Sequence, residues 1–176
     1  SMIHQKRKLP PEEAVDIIRQ VCRALEAAHS VGVIHRDLKP QNIIRDKTGR
    51  VVVMDFGLAR TVGGDGMTRT GALVGTMEYM SLEQALGKEL DQRSDLFALG
   101  LILYELLTGK MPFEADSAIA SLVKRTQERA TPVSDHDAAI PAALSGIVSK
   151  CLERDANLRY QNAGEILADL ETWEDN

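Results

Sequence analysis

The run from Leu96 to Leu107, entered through Asp95, is apolar on nearly every face. A helix with no polar face has to be enclosed on all sides. The rest of the chain must therefore wrap around this segment. Its longest uninterrupted apolar stretch, Leu96 to Tyr104, falls well short of the roughly 20 residues that a membrane span needs. It reads as a core helix, about 95–107, and no membrane segment is expected in this stretch. With 176 residues the chain can bury one substantial core.

The neighbouring segments supply that wrapping. Pro10-Pro11-Glu12-Glu13 reads as a helix start, with proline in the first turn and carboxylates at the positive dipole end. Val15, Ile18, Cys22 and Leu25 then mark one face with the 3.6-residue period, and Gly32 stops the helix. Ile43-Ile44 and Val51 to Met54 are β-branched runs around the turn Asp46-Lys47-Thr48-Gly49-Arg50, which predicts a hairpin. Further helices are expected over Ala118–Lys124, after Pro141 and from about Ala163. In the last of these, Asn162 and Glu165 read as a capping box. The expected fold class is mainly α with a small β-hairpin.

Charge narrows the partners. Net charge is −5 and the pI about 5.4, which disfavours a nucleic-acid partner held on a basic surface. Lys6-Arg7-Lys8 is the one basic run and reads as a solvated tail over residues 1–8, with Ser1-Met2 as a cloning scar. Cys22 and Cys151 lie among helix-spaced apolar residues without metal-ligand spacing, so buried reduced thiols are expected. A cytoplasmic setting fits them, with any membrane segment of the parent lying outside this stretch. Four scattered histidines offer zinc nothing.

The chemistry concentrates in His35-Arg36-Asp37-Leu38-Lys39-Pro40-Gln41-Asn42 and, across the hairpin, Asp55-Phe56-Gly57. Asp37 can orient a hydroxyl nucleophile and take its proton. The Asn42 carbonyl and the Asp55 carboxylate are hard oxygen ligands of the kind Mg²⁺ takes beside phosphate oxygens. The hairpin carries one at each end, so pairing its strands would bring them together. From Asp55 to Glu83 the chain is too rich in glycine for a packed element, and long loops of this kind are usually functional or disordered.

In this order of motifs the chain resembles eukaryotic-like (Hanks-type) protein serine/threonine kinases, and Ser81-Leu82-Glu83-Gln84-Ala85-Leu86-Gly87 resembles the bacterial type. The resemblance runs from about Leu9 to Trp173 and implies the C-terminal lobe of a two-lobed enzyme, residues 9–176, with catalytic loop 35–42 and activation segment 55–83. It implies transfer of the ATP γ-phosphoryl to serine or threonine hydroxyls, with ATP and Mg²⁺ as cofactors and Mn²⁺ as an alternative. Asp37 and Lys39 are the implied catalytic pair, Lys39 steadying the γ-phosphate. Asn42 and Asp55 are the implied metal ligands, and Ile44 lies under the adenine. Thr76 together with Lys39 marks serine/threonine specificity. Thr68 and Thr70 resemble autophosphorylation sites whose phosphate would pair with Arg36. His35 and Phe56 are framework residues. Asp95 bonds back to the catalytic-loop backbone, and its position also suits a helix cap. Glu83 pairs with Arg159 across the closing Ser81-Leu82-Glu83, in which Leu82 stands where the family has proline.

No Gly-x-Gly-x-x-Gly, strand lysine or helix glutamate can be placed in residues 1–34. The N-lobe is therefore expected to be missing, and the fragment inactive alone. Expected partners are protein substrates bearing Ser or Thr, the missing N-lobe of the same chain, and a second copy through an exposed lobe interface. A kinase-derived scaffold without phosphotransfer is the alternative; intact Asp37, Lys39, Asn42 and Asp55 argue against it.

Overall fold

The computed structural model of the protein describes residues 8–54, 56, 79–113 and 115–173. Its elements run in chain order as α1 (Pro11–Ser30), β1 (Ile43–Arg45), β2 (Val51–Val53), α2 (Leu82–Ala85), α3 (Gln92–Thr108), α4 (Ala118–Gln127), α5 (Val133–His136), α6 (Ala142–Cys151) and α7 (Ala163–Leu170). The architecture is mainly helical beside one two-stranded antiparallel sheet, as the sequence periods predict.

Helix α3 is buried from Ser94 through Leu107, and α1, α5 and α6 pack around it. Its second half packs so closely on α6 that a Cβ on Gly100 would lie 2.5 Å from Cys151 Cβ. The helix ends at Gly109, whose φ of 73° lets its N–H reach the Glu105 carbonyl at 2.7 Å, a left-handed stop that a side chain would strain. Helix α1 buries Ala14, Val15, Ile17, Ile18, Val21, Cys22 and Leu25, the face its apolar period marks, and packs on α3 and α7.

The hairpin pairs Ile43 with Val53, Ile44 with Val52 and Arg45 with Val51. Its turn is closed by the Asp46 carboxylate, whose Oδ1 accepts from Thr48 N, Thr48 Oγ1 and Arg50 N at 2.8, 2.6 and 3.0 Å. Gln20 on α1 pins the far strand by accepting from Val51 N and donating to Gly49 O, both at 2.9 Å.

Three local expectations are corrected. Asp91, not Asp95, caps α3, its Oδ1 accepting from Arg93 N at 2.9 Å; the helix begins at Gln92, so Asp95 already lies inside it and its carboxylate is available elsewhere. Asn162 caps α7 by accepting from Glu165 N at 2.9 Å, but Glu165 reaches back to Gln161 N at 2.8 Å instead of closing on Asn162. Lys8 is not a free tail residue: its ammonium pairs with Asp137, and Leu9 N donates to Leu106 O at 2.7 Å.

Candidate active site

One carboxylate organises the loop between α1 and β1. Asp95, 1 % exposed, accepts from His35 N at 2.7 Å, from Arg36 N at 2.9 Å and from His29 Nε2 at 2.8 Å. A buried carboxylate costs little only when such donors surround it. Three donors here replace its hydration. The cap role being filled by Asp91, Asp95 is left to hold the loop backbone.

The bonds at Arg36 hold an unfavourable conformation. Its φ of 71° is the one positive value at a non-glycine among the described residues. A left-handed residue with a side chain costs on the order of 1 to 3 kcal/mol, so the surroundings must enforce it. His35, fully buried, does part of this. Its Nδ1 accepts from Asp37 N at 3.1 Å, which puts the ring proton on Nε2, where it donates to Met54 O at 2.8 Å. The ring also meets Phe56 edge-on, centroids 4.6 Å apart.

The loop thereby presents its polar groups together. Asn42, 4 % exposed, donates from Nδ2 to Asp37 O at 2.6 Å and accepts at its own backbone oxygen from Met54 N at 2.7 Å. That leaves the Asn42 side-chain oxygen, a hard ligand, without a hydrogen-bond donor among the described residues. Lys39 Nζ stands 3.4 Å from Asp37 Oδ2. Ile44 is half-buried in β1, and the Arg36 side chain is exposed.

Asp55, Thr68, Thr70 and Thr76 lie outside the described residues. The structure therefore brings together His35, Asp37, Lys39, Asn42 and Asp95, with Phe56 against His35. The ligand pairing of Asn42 with Asp55 reaches only as far as the Met54 backbone. Among the described residues no group of three or more His, Cys, Asp or Glu could hold a metal by itself.

Glu83 and Arg159 form a second, structural centre. Arg159 donates to Glu83 Oε2 at 2.7 Å and Oε1 at 3.2 Å, a fork with its remaining donors on the carbonyls of Arg93, Glu153 and Arg154. Its guanidinium lies 5.0 Å over the Phe97 ring. Ser94 adds a hydroxyl to Glu83 Oε2 at 2.9 Å. Burial pushes the Glu83 carboxyl up, but the hydrogen bonds and charge of Arg159, with Ser94, hold it below the ordinary carboxylate range.

Sequence reasoning missed four residues here. Ser81 and Gln84 form a true capping box on α2: Ser81 Oγ accepts from Gln84 N at 3.3 Å, and Gln84 Oε1 accepts from Ser81 N at 3.0 Å. The S-x-x-Q spacing carries that signal, and the reading of Ser81 as part of a degenerate closing motif hid it. His29 and Ser94 show no signal of their own, because each acquires a partner only once distant helices pack.

The protein kinase domain family matches residues 1–169. The chain is 44 % identical over 170 residues to the probable serine/threonine-protein kinase CPE1738 of Clostridium perfringens, covering 97 % of this chain and 25 % of that protein. It is 42 % identical over 172 residues to the probable serine/threonine-protein kinase SCO3848 of Streptomyces coelicolor, covering 97 % and 26 %. It is 42 % identical over 171 residues to the serine/threonine-protein kinase PknB of Mycolicibacterium smegmatis, covering 96 % and 27 %. The chain thus spans about a quarter of the length of these relatives. The family match over residues 1–169 and relatives more than 40 % identical over nearly the whole chain agree: the chain belongs to the protein kinase domain family.

Proposed function

We propose that the protein carrying this chain is a serine/threonine kinase that transfers the γ-phosphoryl of ATP to serine or threonine hydroxyls of protein substrates. The observation that carries this reading is the Asp37 carboxylate beside Lys39 on a loop fixed by Asp95. Phosphoryl transfer is mostly positioning and electrostatic stabilisation, which is what a backbone held this tightly supplies. Asp37 orients the attacking hydroxyl and accepts its proton, and Lys39 steadies the transferred phosphate. The Asn42 side-chain oxygen, with Asp55, would hold Mg²⁺, or Mn²⁺ in its place; a bound metal would neutralise phosphate charge. Ile44 would lie under the adenine. A phosphate on Thr68 or Thr70 would pair with the exposed Arg36, and Thr76 with Lys39 would face the serine or threonine substrate.

The reading includes a division of labour. The residues of this C-lobe chain carry a base and metal ligands but no glycine-rich loop or strand lysine before the catalytic loop, and a positioned base by itself is worth only about 10²- to 10⁴-fold. The 176-residue chain alone is therefore expected to transfer no measurable phosphoryl group. Exposed Val52 and Met54 would meet an N-terminal lobe or, without one, a second copy. A cytoplasmic location fits the chemistry; no helix among the described residues is long and apolar enough to cross a membrane.

Labelled MgATP, a generic basic protein as acceptor and an Asp37→Asn control test both statements. The complete protein should label the acceptor and the Asp37→Asn variant should not. Labelling that survives the substitution refutes the assignment of the base. Asp37-dependent labelling by the isolated chain refutes its inactivity.

A further inference from the structure

The peptide unit between Arg36 and Asp37 is held at both ends. Its N–H, on Asp37, donates to His35 Nδ1 at 3.1 Å. Its carbonyl, on Arg36, accepts from Gln84 Nε2 at 2.8 Å. His35 lies in the same loop, whereas Gln84 comes from α2, 48 residues further along the chain. We propose that Gln84 is a positioning residue for Asp37, tying the end of the activation segment to the peptide that aims the base; the proposal rests on the kinase reading above.

The chemistry of the side chain makes the assignment specific. Gln84 Oε1 accepts from Ser81 N at 3.0 Å while Nε2 donates to Arg36 O, so one amide serves a donor on one side and an acceptor on the other. The two partners also fix which end of the amide is which. A glutamate at this position keeps the capping half, since carboxylates close capping boxes well, but turns an acceptor toward the Arg36 carbonyl and cannot donate to it. The neighbouring residue is anchored as well, because Glu83 is gripped by Arg159 and Ser94. A continuous path thus runs from α3 through Glu83 and Gln84 to the backbone of Asp37. Arg36, the left-handed residue, sits where that path enters the loop. Ordering of the segment's end and aiming of the base are coupled through a single side-chain amide.

Two substitutions separate this from a capping role. Gln84→Glu retains the cap and removes the donor; Gln84→Met removes both. In ¹⁵N–¹H spectra of the chain, the Arg36 and Asp37 amides should move in both variants, and the Ser81 amide chiefly in Gln84→Met. In the complete protein, Gln84→Glu should lower kcat roughly 3- to 10-fold, the worth of one hydrogen bond, with KM for MgATP unchanged and the melting temperature lowered by no more than about 2 to 4 °C. Arg36 and Asp37 amides at their wild-type positions in Gln84→Glu, or an unchanged kcat, overturn the proposal. A complete wild-type protein that transfers no phosphoryl group overturns the kinase reading instead, and the amide shifts then decide the tie by themselves.

Discussion

Glu83→Ala tests whether the closing segment is clamped by a buried pair or merely decorated by a surface one. Arg159 has a side-chain exposure of 0 % and Glu83 of 14 %. Removing one partner of a buried pair leaves an uncompensated charge and costs about 3 to 5 kcal/mol, mostly as that stranded charge. An exposed pair is worth at most about 1 kcal/mol. Arg159 keeps three backbone carbonyls and the Phe97 ring after the substitution, so its charge is not wholly abandoned. The lower end, about 3 kcal/mol, is therefore expected. For a domain of this size that corresponds to a fall in Tm of about 6 to 12 °C. Urea denaturation followed by circular dichroism measures it directly. The sign of the pH dependence follows from the depressed Glu83 carboxyl: its contribution is present above the unfolded value, about 4.3, and is lost as pH falls through the folded one. The difference between wild type and Glu83→Ala should accordingly shrink as pH is lowered below about 4. A ΔΔG under about 1 kcal/mol at neutral pH, or a difference that persists undiminished into acid, refutes the buried clamp.

Gly100→Ala sets helix propensity against packing. Alanine is worth up to about 1 kcal/mol more than glycine inside a helix. Here its methyl would meet Cys151 Cβ at 2.5 Å and Leu152 Cδ2 at 3.0 Å, and overpacking typically costs about 1 to 3 kcal/mol. A lowered urea midpoint is expected, and a raised one would show that α3 and α6 separate freely. The thiols make an independent check on burial. Burial pushes Cys151 up to about 12 and Cys22 well above its ordinary value, so at pH 8 both should resist a disulfide-exchange reagent until urea unfolds the chain. Rapid modification of either in the native protein contradicts the packing of α1, α3 and α6.

The fold was legible where a periodic pattern met one environment. The α1 stripe and the all-apolar α3 bury what their pattern assigns, and the β-branched runs pair as the hairpin they predict. Boundaries set by single side chains were less legible. Asp91 and Asp95 both suit a cap, and local sequence does not say which carboxylate the helix will use. The decision is made by tertiary structure: three donors converge on Asp95 from the end of α1 and the loop after it, leaving the cap to Asp91. Asn162 and Glu165 have capping-box spacing, yet the glutamate finds a better donor one residue earlier.

The same distinction separates the parts of the site. The carboxylate of Asp37, the ammonium of Lys39 and the amide of Asn42 are read from residue type and spacing, because the proposed chemistry on a hydroxyl and a phosphate needs those groups. What aims them is not readable in that way. The left-handed turn at Arg36 has no glycine to announce it; it is held by Asp95, His35 and Gln84, each bonded to a backbone group of Arg36 or of the peptide that follows it. None of the three touches the others in sequence. Residue identity along 35–42 specifies which chemistry is available, while the geometry of that chemistry is set by side chains from α3 and α2. Changes at Asp95 or Gln84 should therefore misalign the loop without altering any of its residues.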